Sequence, residues 1–180
     1  MLKVILLFCG FLFFKQDEPV LSWSEVHRLS WADFKSKPND NENAAAITAS
    51  GITFGFSITQ TDKNQVVSFT SEVHAHFYPE QSWYKVEQAD DYALGHEQLH
   101  FYITELYARK FRERISELRV SNNIRKELKG IHENINKEPS EIQSAYDYET
   151  DYSRNYETQD KSSAFIRLEL QKLATYKSIE

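Results

Sequence analysis

A chain of 180 residues suits one domain that buries its own core, and a net charge of −6 lacks the basic surface that phosphate backbones require, which excludes nucleic acid as the main partner. The single cysteine, Cys9, excludes an intramolecular disulfide framework. The remaining composition, with 12 Phe, 10 Tyr and 3 Trp against 5 Gly and 4 Pro, is that of an ordinary globular protein.

Lys3 is followed by an apolar run from Val4 to Phe14, and polarity returns at Lys15. This is the pattern of a secretory signal and is shorter than the roughly 20 residues of a membrane span. Residues 1–18 therefore read as a signal peptide or N-terminal anchor, and 19–180 as the folded domain. The expected location is exported: periplasmic, envelope-bound or secreted. Cys9 raises lipid attachment, but Phe8 before it is bulky where such signals take a small residue. Membrane association through the apolar segment stays open.

Trp23, Trp31 and Phe34 are candidate core anchors. Residues 37–43 form a loop by composition. Apolar side chains then recur at every second position through Ile52, Phe54, Phe56 and Ile58, which predicts a strand with one buried face. A turn at 62–65 leads to a second strand from Val66 to Phe77, pairing as an antiparallel hairpin. His74 and His76 share one face of that strand and read as half-exposed strand histidines. From about Gln88 the period becomes helical, with Ala93, His96, His100, Ile103 and Tyr107 on one stripe. One long helix, or two joined near 121–123, is expected. Gly130 and Pro139 are breaks, His132 is a surface histidine, residues 144–159 are irregular, and a last helix from about Lys161 to Tyr176 turns Phe165, Leu168 and Leu173 inward.

The stretch Gly95-His96-Glu97-Gln98-Leu99-His100-Phe101 contains His-Glu-x-x-His. On a helix, residues i and i+4 lie about 40° apart around the axis, so both imidazoles can reach one Zn²⁺. Glu97, rotated by about 100°, reaches a water activated by the metal rather than the metal itself. Catalytic zinc sites take three protein ligands and one open position. The third ligand must arrive from elsewhere, and the densest source is Tyr146-Asp147-Tyr148-Glu149-Thr150-Asp151-Tyr152. Such a site hydrolyses peptide bonds, with Glu97 as general base.

Five segments in order resemble the bacterial DUF922 proteins. Leu29 to Phe34 resembles "L-x-W-x-D-F", Ala44 to Phe56 an alanine- and threonine-rich strand, and Phe77 to Trp83 "F-x-P-x-x-S-W". His96 to Phe101 resembles "H-E-Q-x-H-F". Tyr146 and Asp147, with Thr150, Asn155 and Gln159, resemble "Y-D-x-x-T-x-H-G-x-N-x-x-x-Q". The resemblance implies a secreted zinc-dependent protease of the zincin, or peptidase MA, type. Where that pattern has His-Gly, this chain has Tyr152-Ser153. If that histidine is the family's third ligand, the role here passes to Asp147 or Tyr152, or tight metal binding is lost. Asp147 ranks first, because a phenol must give up a proton of pKa about 10.

The predicted fold class is α+β: a zincin-like domain with a small antiparallel sheet packed on a long helix carrying the His-Glu-x-x-His motif, and a helical C-terminal part. The expected function is an exported zinc metallopeptidase, a hydrolase with His96 and His100 and either Asp147 or Tyr152 as metal ligands, Zn²⁺ as cofactor, Glu97 catalytic and a peptide or protein as substrate. The alternative is a non-catalytic zincin-like envelope binding protein.

Overall fold

The alternation expected at 52–58 builds the centre of a four-stranded antiparallel sheet. The computed structural model describes residues 3–8, 18–39, 41–42 and 44–178. In chain order the strands are β1 (Lys3–Phe8), β2 (Leu21–Ser22), β3 (Ala46–Ile47), β4 (Ser50–Gln60), β5 (Val66–Phe77) and β6 (Trp83–Tyr84). The sheet runs β1-β4-β5-β2, while β3 and β6 form a separate antiparallel pair. In the β4–β5 hairpin Phe54 lies opposite Val73 and Ile58 opposite Phe69. Its turn is closed by Asn64, which takes the left-handed φ of 61° that Asn tolerates better than most residues. β1 pairs with the outer edge of β4, from Lys3 opposite Gln60 to Phe8 opposite Gly55. Cys9 and the remainder of the apolar run lie outside the described residues.

One helix organises the other elements. The helices are α1 (Asp91–Ser116), α2 (Ile124–Ile135), α3 (Glu138–Glu149) and α4 (Tyr156–Lys172). The Asp90 side chain caps α1 by accepting the Ala93 N–H at 2.7 Å. α1 is buried nearly all round, because the sheet covers one side and the C-terminal helices the other. Phe111 meets Phe54 with ring centroids 4.7 Å apart, and Phe101 meets Phe77 at 6.0 Å. Each such phenyl contributes about 1.5–3 kcal/mol by leaving water. The expected break near 121–123 is present: α1 ends at Ser116 and α2 begins at Ile124.

The two aromatic motifs fix the approach to α1. Ser30 caps a 3-10 turn at Trp31–Asp33, and the Leu29 N–H donates to Gln98 Oε1 at 2.7 Å, tying the N-terminal segment to the middle of the helix. Trp23 and Phe34 are core residues. Trp31 is half-buried and stacks on Tyr84 at 4.7 Å. Ser82 is fully buried; its hydroxyl donates to the Tyr78 carbonyl and accepts the Ala49 N–H, which sets β3 beside the sheet.

Several local expectations change. Residues 144–149 are helical rather than irregular, and Gly130 lies within α2. Pro139 opens α3, where its missing N–H costs nothing. On α4 the buried side chains are Gln159, Ile166 and Leu170, whereas Phe165 and Leu168 are exposed. The 3.6-residue period places 166 and 170 on one face with 159, and Phe165 off it. His132 is half-buried, 5.3 Å from the Phe54 ring and 5.9 Å from Phe111, and burial lowers its pKa. His74 and His76 stack at 5.9 Å. His76 is held by Ser22 and Thr53, and burial, with His74 beside it, lowers its pKa to about 4.

Candidate metal centre

The i, i+4 spacing on α1 brings His100 Nε2 to 3.2 Å from His96 Nε2. α3 crosses above them and delivers Asp147, whose Oδ1 lies 3.0 Å from His96 Nε2 and 2.9 Å from His100 Nε2. The three atoms thus form a triangle with sides of 2.9–3.2 Å. Ligands about 2.0–2.2 Å from a tetrahedral zinc stand about 3.3–3.5 Å from one another. The triangle matches that face to within a few tenths of an ångström. Its donor set, two imidazoles and a carboxylate, is one that zinc takes in catalytic sites. Among the described residues, His96, His100 and Asp147 are the group able to hold a metal ion.

The two histidines are held differently. His96 lies flat on Tyr146, with centroids 4.4 Å apart and planes 18° apart, and its buried Nδ1 has no hydrogen-bond partner. His100 meets Tyr146 edge-on at 5.2 Å, and its Nδ1 is 3.0 Å from Gln143 Oε1. Burial alone would lower the His100 pKa, but Asp147 and the Glu97 charge outweigh it and raise it. Burial likewise works against the Asp147 carboxylate, and hydrogen bonds from His100 and His96 still hold it well below the usual carboxylate range. Burial pushes the Tyr146 phenol up, with Glu97 and Asp147 adding to it, so this tyrosine stays neutral.

The group forms the floor of a cleft of about 470 Å³. One wall is the segment from Ala44 to Thr48, which includes β3; the other carries Gln143, Tyr152, Ser153 and Arg154. Thr48 Oγ1 donates to the Glu97 carbonyl at 3.2 Å and pins the first wall to α1. Glu97 also lines the cleft; it is 5% exposed, and its Oε2 has no hydrogen-bond partner.

The whole of this group falls within residues 23–154, which match the DUF922 family, described as bacterial protein of unknown function. The chain belongs to the DUF922 family. No curated protein and no solved structure matches it.

Three of the five DUF922 segments quoted above, those within 44–56, 95–101 and 146–159, meet at this cleft. His96, His100 and Asp147 come together, with Glu97 beside them. Tyr152 does not join the group; it stands half exposed on the rim. It sits in a run of three left-handed residues, Asp151 (φ 48°), Tyr152 (52°) and Ser153 (71°). Left-handed backbone costs a residue with a side chain about 1–2 kcal/mol, so the glycine of the family pattern at the place of Ser153 answers a backbone need. Thr150 and Asn155 bracket the run. Thr150 is fully buried and donates to the Tyr146 carbonyl, and Asn155 caps α4 through the Thr158 N–H. Gln159 Nε2 donates to the Tyr92 carbonyl at 2.9 Å, joining α4 to the first turn of α1. Sequence reasoning missed Gln143. Its signal was available once α3 is read as a helix, because Gln143 and Asp147 are spaced i, i+4 and share a face.

Proposed function

We propose that this DUF922 protein is an exported zinc-dependent peptidase of the zincin type. The observation that carries the reading is the triangle of His96 Nε2, His100 Nε2 and Asp147 Oδ1, at the separations of a zinc ligand face. The unpartnered Glu97 carboxylate beside it in the cleft supports catalysis as well as binding. A zinc ion held there would supply positive charge to a substrate carbonyl and lower the pKa of water from about 15.7 towards 7. Glu97 accepts a proton from the attacking water and passes it to the amine nitrogen as the C–N bond breaks. The water oxygen ends on the carbonyl carbon, so the products are a carboxylate and an amine. β3 pairs with β6 through Ala46 and Tyr84, and its segment lines the cleft. An extended peptide added to the other edge of β3 would lie across the floor in reach of Glu97. Export rests on the basic start and apolar run of residues 3–14.

The test is the zinc-loaded chain against an unfolded protein substrate, with peptide release followed by mass spectrometry. Glu97→Gln is expected to bind one zinc and lose about 10²–10⁴-fold in rate. Zinc binding without hydrolysis in either protein would favour the non-catalytic envelope binding protein.

A further inference from the structure

Three acceptor-capable atoms meet at the centre of the site, and which of them carries hydrogen is set outside it. We infer that Gln143 is a positioning residue that fixes His100 with its hydrogen on Nδ1, so that the Nε2 lone pair is presented to the metal. The inference rests on the zinc-centre reading proposed above.

The chain of hydrogen bonds that sets the His100 hydrogen runs inward from the sheet. Thr104 is buried, and its hydroxyl has a single hydrogen, with the His100 carbonyl 3.2 Å away as one acceptor. Ser50 Oγ, on β4, lies 2.7 Å away; either hydroxyl can donate in that pair, and whichever acceptor takes the Thr104 hydrogen, Thr104 Oγ1 keeps a lone pair for Gln143. Gln143 Nε2 donates to the same oxygen at 3.4 Å. With its amide nitrogen turned to Thr104, Gln143 points Oε1 at His100 Nδ1, 3.0 Å away. An amide oxygen only accepts, so Nδ1 must donate, and a neutral imidazole with hydrogen on Nδ1 has its lone pair on Nε2. In that neutral form the lone pair faces Asp147 Oδ1 at 2.9 Å and His96 Nε2 at 3.2 Å, whereas a charged ring donates its Nε2 hydrogen to Asp147 instead. The neutral form is a cluster of acceptors that a cation completes. The reversed amide would give Nδ1 a donor, move the hydrogen to Nε2 and aim it at Asp147, blocking a metal. Thr104, with its single hydrogen taken by the His100 carbonyl or by Ser50, selects against that reversal.

The same helix therefore supplies a ligand and the group that orients another ligand, four residues apart. His96 has no equivalent, since its Nδ1 is unpartnered and its ring is held by stacking on Tyr146. Loss of an outer partner of a metal-bound histidine typically weakens metal binding about 10–100-fold.

The experiment uses the full chain and two variants, Gln143→Leu and Gln143→Glu. Zinc affinity is read by competition with a chromogenic chelator, and the His100 ring by nitrogen-15 NMR of the zinc-loaded protein. The unaltered chain is expected to show a protected His100 Nδ1–H. Gln143→Leu should lose that protection and bind zinc about 10–100-fold more weakly. Gln143→Glu should restore both, because its carboxylate accepts the same hydrogen bond. Equal zinc affinity in Gln143→Leu, or a His100 hydrogen found on Nε2 in the zinc-loaded chain, overturns the role of Gln143 and leaves the zinc centre standing. Failure of the unaltered chain to bind zinc overturns the centre and this inference together.

Discussion

Helix α1 carries two buried charged clusters within a few turns of each other, and they are built on opposite principles. In the first, His96 and His100 meet Asp147 through acceptor-capable atoms, beside Glu97, on the floor of a cleft. In the second, Glu105 is fully buried; its Oε1 accepts from Arg109 Nε at 2.8 Å and from Arg112 Nη1 at 3.2 Å. Further guanidinium N–H groups donate to backbone carbonyls: Arg109 to Leu170, and Arg112 to Val73 and Tyr176. That cluster joins α1 to β5, α4 and the C-terminal turn, and it supplies its own cations. The first is rich in acceptors, open to the cleft and short of positive charge. Buried charge alone does not mark a functional site; an unbalanced donor count facing a cavity does.

The contrast can be broken most severely at Glu105. Glu105→Ala strands two guanidiniums in the interior and should cost about 3–5 kcal/mol, read as a lower urea midpoint. Zinc affinity of the folded fraction should not change. Asp147→Asn should do the reverse. It should weaken zinc binding by more than the roughly 10–100-fold typical of outer partners, with the circular dichroism spectrum preserved.

The pH response sharpens the same contrast. In protein stripped of metal, the raised His100 pKa gives stability that is complete below the ordinary histidine value and is lost as pH rises through the folded value. The depressed Asp147 pKa gives stability that is present above the ordinary aspartate value and is lost as pH falls through the folded value. The His100–Asp147 pair therefore contributes most between about pH 4 and 6.5, against His76 and His132, whose lowered values give stability that is lost as pH falls below the ordinary histidine value, and zinc should bind more tightly as pH rises and His100 loses its proton. Thermal melts with and without zinc across pH 4–8 test both signs. The smallest effect is expected at Ser153→Gly. It relieves one left-handed residue on the rim and should raise stability by about 1 kcal/mol, measured by urea denaturation.

The hairpin was legible because its signal is local. Ile52 to Ile58 alternate at period two, and Val66–Phe77 appears as a strand at the expected bounds. His96 and His100 were legible for the same reason, being one helical turn apart. Asp147 could be drawn from the sequence only as a candidate, because its approach depends on α3 crossing α1 about 50 residues later in the chain. α3 itself was hidden. Its strongly buried positions there are few, Tyr146 with Thr150 just past its end, and the Tyr/acid alternation from 146 to 152 imitates another period. On α4 the hydrophobic residues Phe165 and Leu168 suggested the wrong face, since the buried stripe runs through Gln159, Ile166 and Leu170 and begins on a polar side chain. Gln143 showed only through its i, i+4 spacing to Asp147, a sign that stays hidden until α3 is read as a helix.

One consequence follows from where the ligands sit in the chain. His100 and Asp147 are 47 positions apart, and the segment between them contains α2 and most of α3. An ion shared by the two would act as a reversible clasp around that segment. Closing a loop of this length restricts the unfolded chain by on the order of 4 kcal/mol, as a disulfide would. Without the clasp, the span from 117 to 146 is fastened to α1 by packing, by the Gln143 hydrogen bonds to His100 and Thr104, and by the Arg114–Glu138 ion pair at 2.7 Å. The chain has one cysteine and so cannot make a covalent fastening of its own. In this design the metal would be both reagent and rivet, and a molecule that lost its zinc would also become the one most readily opened and degraded.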